Sequence, residues 1–573
     1  MAEKAPTLPN DPILVRLLEA ANRVPNSEVI IKDFVGFEKT YPELLGDVFE
    51  TRRQLKSVLP ASKLDERGLL REESVYITAL TRTGYEYAVA FFAVRSLGGA
   101  YVPLDPRAGV ERQAIVLSRA KSNCVLFDRG CTAELETLRA HVENIQSEAT
   151  VKSLVVLPIV CNSPALPAMN NIKIDESLYL DPNGPGFVCM TSGTTGYSKG
   201  VVIRRTCLTS HPVLVTKLSG SRLESSEPLE KQGGAQINYN ESHWLGGAKN
   251  VIESIALGKK VFALECPASA KNVLEVFRNN RITYFIFNPA LLRGMKEILL
   301  GEFGGDQELT REKQEAFSVH FKGLAFFLCI GGLVDEPTVE FWETVMGLPL
   351  QNRYGASELT GLVTMGLTKI YGSVGKLSPG IEMKLSEGTH GRLLIRTPDR
   401  FLGYLGDEAA TQAAFDEEGY YRTGDMAELR DGEIILLGRE RDDYIVFGNS
   451  RFSALEVELR VLALPYIAEA CVVAVPVEEN KQLCGAVIRL KDGMKTTLAH
   501  IRADLQAEID ASMLPTVLRQ LPPHEELPRT ATGKPIKRQV IEDFFYDGDC
   551  GRDFFAVANP PSEVEFYGMP IEV

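Results

Sequence analysis

The chain has 573 residues, 45% of them apolar and 24% charged, with a formal net charge of −14. That length exceeds one ordinary domain, and the composition is that of a water-soluble globular protein. The acidic balance excludes nucleic acid or anionic membrane as the main partner, yet leaves room for a local cationic pocket.

The N-terminal "MAEKAPTLPNDP" has no apolar signal core, and "PIEV" at the other end is not an SKL-type address. The longest uncharged apolar run, 323–334, is too short to cross a bilayer as a helix, so no membrane span is expected. It reads as a buried strand entering a Gly turn. The ten cysteines form no CxxC pair, which argues against a structural zinc site and fits a reducing, cytoplasmic compartment.

Residues 75–105 read as an apolar strand, an amphipathic helix, a Gly-Gly stop and a second strand. Strand signals recur at 120–128 and 150–158, and helix-then-strand patterns at 247–264 and 271–288. This alternation predicts βαβ units and largely parallel sheets. After about residue 380 the pattern changes to short strands, with Asp431-Gly432 predicting a hairpin in a small β-rich subdomain. A fresh α+β pattern follows "GRERDD", with helices expected near 453–463 and 498–511. The predicted division is 1–441 and 442–573, with a loosely ordered tail from about 545.

Residues 190–202 read "MTSGTTGYSKGVV". Glycines let backbone N–H groups turn inward, hydroxyls donate further hydrogen bonds, and Lys199 adds charge, so the stretch suits phosphate. A flexible surface turn is the plainer reading of such a composition. It is not a Walker A loop, because Ser198 precedes the lysine and Gly200 follows it.

"TSGTTGYSKG" closely resembles the phosphate loop of the adenylate-forming superfamily, which holds acyl-CoA synthetases, peptide-synthetase adenylation domains and beetle luciferases. Ser198 stands where the usual TSGTTGxPKG has proline, and Arg204 and Arg205 occupy the stretch where a His commonly follows. Four further segments fall in the family's order: "NRYGASE" at 352–358, "YYRTGD" at 420–425, "GRERDD" at 438–443 and "LPRTATGKPIKR" at 527–538. The resemblance covers about residues 40–540.

The resemblance implies an α/β fold, with a large N-terminal domain of βαβ-built sheets and a smaller, mobile α+β C-terminal domain. It implies ATP-dependent activation of a carboxylic acid to an acyl-adenylate, with pyrophosphate released and the acyl group passed to CoA. A stand-alone ligase loading a separate carrier protein is the alternative. By the same resemblance Thr191, Ser192, Gly193, Thr194, Thr195 and Lys199 cradle the β- and γ-phosphates. Glu358 would hold Mg²⁺, a hard cation that prefers oxygen ligands. Tyr354 would stack on adenine, with Asn352 at its amino edge and Gly331 and Gly332 beside it. Gly355 and Ser357 belong to the same motif. Asp425 and Arg439 match ribose-contacting positions, and Arg451 matches an arginine of the rotating domain.

Lys534 matches the lysine that bridges the substrate carboxylate and the α-phosphate during adenylation. An exposed lysine in a basic run is the plainer reading. Family members rotate the small domain between half-reactions; Asp442 is the hinge candidate, with Arg441 and Asp443 open.

The acyl pocket is less determined. "NYNESHWLGG" resembles the family's FHxxG segment, which would place His243 near the acyl tunnel and the thioester site, or leave it a packing histidine. Amino-acid-activating domains carry Asp there, so His243 disfavours an α-amino acid, and Glu241 keeps that reading open. Arg353 occurs at this place in malonate-activating relatives and in others; facing the pocket it could pair a second carboxylate. Phe326, Phe327 and Leu328 suggest apolar surroundings.

Overall fold

The computed structural model describes residues 6–146, 154–166, 169–191, 199–209, 234–305, 308–368, 370, 372–447, 450–478, 481–530, 534–545 and 564–567. The predicted α/β architecture is what it contains. The largest sheet has seven strands, in the order Gly403–Tyr404, Gly200–Arg204, Pro185–Met190, Ala100–Leu104, Tyr76–Leu80, Cys124–Phe127 and Val155–Pro158. Five of them run parallel, joined by helices as the βαβ pattern predicts, and the pair Pro185–Met190 and Gly200–Arg204 is an antiparallel hairpin.

The helix Tyr85–Arg95, "YEYAVAFFAVR", is buried at every position. A helix apolar on all sides must be covered on all sides. It packs on the strand Ala100–Leu104 and on the strand Ile31–Asp33 of a second, four-stranded sheet. A third sheet of parallel strands Ile286–Phe287, Phe327–Ile330 and Leu350–Arg353 follows, with the helices Pro289–Gly301 and Glu336–Met346 on it.

The β-rich stretch is a four-stranded antiparallel sheet, Glu382–Glu387, His390–Arg396, Tyr421–Arg430 and Glu433–Arg439. Its last hairpin turns at Asp431 and Gly432, both with positive φ, the left-handed pair that a tight two-residue turn requires. From Ile445 onward the chain buries most of its apolar side chains in two further clusters around the strands Ile467–Glu478 and Lys481–Leu490, while Leu459 joins the main core.

Three local expectations are revised. The helix expected over 498–511 ends at Leu505, because Asp510 caps a separate short turn at Ala511–Met513. In the tail, Val564–Phe566 adds an edge strand to Val517–Gln520. The helix opening at Leu245 passes through a π-turn at Lys249–Glu253 before it finishes. No helix among the described residues is long and apolar enough to cross a membrane.

One buried ion pair ties the N-terminus to these sheets. Asp11 caps the helix Pro12–Arg23 by accepting from the Ile13 N–H, and takes two hydrogen bonds from Arg95 Nη2, at 2.6 and 2.7 Å. Arg205 lies 3.7 Å from the same carboxylate.

Candidate functional site

Ligand sites in open α/β sheets gather at the carboxyl ends of strands, and two parallel strands end here side by side. "FLCI" is a continuous apolar run buried as the strand Phe327–Ile330, and it stops at Gly331, whose φ of +86° suits glycine. A Cβ built on Gly331 meets nothing within 4 Å, so the strand end faces open space. Gly332 follows, close against the Pro289 ring.

The neighbouring strand sets Asn352 opposite Cys329 and Arg353 opposite Ile330. Asn352 is buried, and its Oδ1 has no hydrogen-bond partner. An unsatisfied buried acceptor costs free energy unless a ligand answers it, and an adenine amino group would. Tyr354 is buried beside it; its N–H donates to Thr364 Oγ1 at 2.8 Å and its hydroxyl donates to Asp425. Gly355 has no alternative residue, since a Cβ there would lie 2.1 Å from the Gly361 carbonyl oxygen.

Asp425 and Arg439 face each other across an antiparallel pair, with Arg439 Nε 2.9 Å from Asp425 Oδ1. Thr423 fixes both: its hydroxyl accepts the Asp425 N–H at 3.0 Å and its carbonyl accepts Arg439 Nη1 at 3.0 Å. Burial raises the Asp425 pKa, and Arg439, Tyr354 and Lys534 pull it back. Lys534 is therefore in the field of this pair, although it is far from both residues in the chain.

Its loop is held shut where the Thr530 N–H donates to the Lys534 carbonyl at 2.7 Å. Lys534 is exposed as a residue, while neighbouring groups crowd and desolvate its ammonium. That crowding and the Arg439 charge lower its pKa, against the pull of Asp425 and Asp443. Three residues on, Lys537 pairs with Asp443, which also accepts the Arg439 N–H at 2.7 Å. Asp443 is thus pinned on both sides, and of the three hinge candidates Arg441 and Asp442 are the ones left between anchors. Arg451 lies outside the constellation, exposed, with its guanidinium over the Tyr444 ring at 4.6 Å.

The phosphate-loop stretch closes the hairpin of the large sheet. The Thr191 N–H donates to the Lys199 carbonyl at 2.9 Å, and the Lys199 N–H to Thr191 Oγ1 at 3.1 Å. Ser192, Gly193, Thr194 and Thr195 lie outside the described residues. Lys199 Nζ sits 4.6 Å from the centre of the Tyr404 ring, and the Tyr404 hydroxyl donates to Glu358 Oε1 at 3.0 Å. Glu358 belongs to the short turn Ser357–Leu359, half-buried, while Ser357 hydrogen-bonds to Cys189 on the strand before the loop. The turn ends at Thr360, a β-branched residue at φ +60°, strained backbone that persists where neighbours fix it. Here Lys249 Nζ donates to its carbonyl and its hydroxyl to the Asp399 carbonyl.

His243 reaches the same strand end: its carbonyl accepts the Met190 N–H at 2.7 Å. Its ring is buried, edge-on to Trp244, with Nε2 3.6 Å from Asp105 Oδ2. Burial lowers its pKa against the pull of Asp105, so the ring is neutral near neutral pH. Glu241 pairs with Arg107 at 2.5 Å, so it is not left waiting for a substrate ammonium.

Burial pushes the Glu241 carboxyl from 4.5 up to about 7, despite Arg107. An acid whose pKa is higher in the folded chain binds more protons there, so its contribution to stability falls as pH rises from 4.5 to about 7. Urea unfolding at pH 5 and pH 8 should show the parent chain losing on the order of 3 kcal/mol more than Glu241→Gln across that window. Superimposable pH profiles would show that the carboxyl is ordinary.

Arg353 is 2% exposed. It donates to Gln351 Oε1 and to the Thr364 carbonyl, while its Nε has no partner. No carboxylate pairs with it among the described residues, and burial pushes its pKa down to about 10. The face it shares is lined by Tyr284, Phe326 and Leu328.

The sequence profile of AMP-binding enzymes matches residues 19–405, and that of the AMP-binding enzyme C-terminal domain matches 456–534. The chain belongs to the AMP-binding enzyme family. Within it, the chain is 28% identical to the acyl-CoA ligase oryP of Aspergillus oryzae, over 94% of this chain and 93% of that one. It is 30% identical to the mitochondrial malonate–CoA ligase ACSF3 of Xenopus laevis, covering 82% and 83%. The ATP-bound MatB structure from Rhodopseudomonas palustris superposes with a TM-score of 0.70 at 19% identity, covering 93% of this chain and 99% of the other, and shares its fold.

Three features around this site carry no sequence signal of their own. Tyr404 sits on a two-residue strand, Asp105 and Arg107 follow a buried strand 136 or more residues before His243, and Lys537 looks like one more surface cation. Only the pairing of distant strands reveals them.

Proposed function

We propose that this protein adenylates a carboxylic acid with ATP, releases pyrophosphate and transfers the acyl group to the thiol of CoA. The observation that carries the reading is Lys534 brought into the field of the Asp425–Arg439 pair, beside the open strand end at Gly331. In the first step the carboxylate attacks the α-phosphorus and the bond to pyrophosphate breaks. Negative charge grows on phosphoryl oxygens, and a lysine spanning the two anions lowers the barrier because it binds them best together.

Asn352 Oδ1 would accept from the adenine amino group, Tyr354 would cover the ring, and Asp425 would accept both ribose hydroxyls. Lys199 and the loop it closes would hold the pyrophosphate end. Glu358 is a hard oxygen donor, and no group of three His, Cys, Asp or Glu gathers among the described residues. That donor set fits Mg²⁺ held by one carboxylate, water and substrate phosphates, where the ion would neutralise charge on the leaving pyrophosphate. In the second step the thiol attacks the acyl carbon and AMP leaves, with the segment from residue 442 carrying Lys534 away to admit it.

The acid proposed is one with a second anionic group. A buried guanidinium with no carboxylate and an unbonded Nε is costly to maintain, and a distal carboxylate would complete it bidentately. Malonate–CoA ligases among the relatives support this.

The test is pyrophosphate release from ATP over a panel of short dicarboxylic, fatty, aryl and amino acids, with and without CoA, products identified by mass. Release with a dicarboxylic acid and an acyl-CoA product is the expected result. Acyl-adenylate accumulating despite CoA would transfer the second step to a carrier protein, and release with none of the acids would overturn the reading.

A further inference from the structure

We propose that Tyr404 is a positioning residue that keeps Lys199 and Glu358 apart, so that each stays available to the phosphates and the divalent ion. The inference rests on the function proposed above. Lys199 and Glu358 carry opposite charges and lie around one phenol ring, the cation over its face and the carboxylate at its hydroxyl. Such groups close onto one another when nothing intervenes, and each then neutralises the other. Yet Lys199 takes no carboxylate and Glu358 no lysine or arginine within ion-pair distance among the described residues.

The segment bearing the ring is stitched to both. The Phe401 N–H donates to the Glu358 carbonyl at 3.1 Å, and the Leu405 N–H to the Gly200 carbonyl at 2.8 Å, next to Lys199. Tyr404 itself pairs with Val201, donates its N–H to Thr411 Oγ1 at 2.8 Å, and packs on Phe401 with ring centres 5.0 Å apart. The ring is therefore fixed relative to both charges at once. A cation over an aromatic face is attracted without being neutralised, and remains free to bond a phosphate oxygen.

The test reads binding without any acid or CoA. Inorganic pyrophosphate is titrated by calorimetry, and Mn²⁺ by electron paramagnetic resonance with a non-hydrolysable α,β-methylene ATP at saturation. Tyr404→Phe should weaken Mn²⁺ roughly fivefold and leave pyrophosphate within about twofold, since the ring remains. Tyr404→Leu should weaken both about tenfold or more, because the lysine and the carboxylate then pair. Adding Glu358→Gln to Tyr404→Leu should restore pyrophosphate affinity, a rescue that a merely structural tyrosine would not give. Pyrophosphate affinity as poor in the double variant as in Tyr404→Leu, or unchanged in Tyr404→Leu, would overturn the proposal. A parent chain that binds both ligands yet activates no acid would sink the function and leave the spacer standing.

Discussion

Replacing Lys534 with alanine is expected to slow acyl-adenylate formation about a thousandfold, with the thioester step from synthetic acyl-adenylate left within a few-fold of the parent. Single donors aimed at developing oxyanions account for about 10²–10³ in rate, and in the proposed role one cation would serve two anions. The KM for ATP should change little, because in the proposed site Asn352, Tyr354 and Asp425 would hold the nucleoside end without Lys534. Stability should barely move, since Lys534 is an exposed residue with a desolvated ammonium that makes no ion pair among the described residues, and the backbone bond between Thr530 and Lys534 remains. Half-reactions measured separately decide the matter, with equal losses in both steps removing Lys534 from the role.

The second large effect concerns Arg353, where stability and activity are expected to move in opposite directions. Methionine has a similar reach and no charge. Replacing a buried charge that lacks a carboxylate partner is neutral or stabilising, so Arg353→Met should unfold at the same or a higher urea concentration. Its kcat/KM for a dicarboxylic acid should fall roughly a thousandfold, because sites built around a polar contact reject what no longer makes it. A monocarboxylic acid of the same length should gain relative to it. A variant that keeps its preference would place the guanidinium outside the pocket, and one that unfolds readily would make it a structural arginine bonded through Gln351 and Thr364.

How much of this was legible in the chain follows the range of the interactions. The strand–helix alternation is local, and so are the Asp431-Gly432 turn and the glycine at the end of "FLCI"; each has its cause within a few residues. The motif residues Asn352, Tyr354, Asp425, Arg439 and Lys534 were nameable because their segments resemble a known family, and the fold gathers them around one strand end. The charge pairings were not legible. Asp443 with Lys537, and Tyr404 between Lys199 and Glu358, depend on strand registers that no periodicity specifies. The tail strand Val564–Phe566 was missed for the same reason: an edge strand is defined by the neighbour it finds.

The carboxylate of Asp11 also sets an order of events during synthesis. Its strand Thr7–Asn10 pairs in parallel with Lys173–Tyr179, and its two guanidinium partners arrive at Arg95 and Arg205. At about 5–20 residues per second, the ribosome delivers Arg205 roughly 10–40 s after Asp11. The strand Thr7–Asn10 lacks its neighbour until Lys173–Tyr179 is made, and until Arg205 follows, Asp11 has only one of its two guanidinium neighbours. The helix Pro12–Arg23 is consequently held by its full set of partners only after Arg205 is made, long after the helix itself.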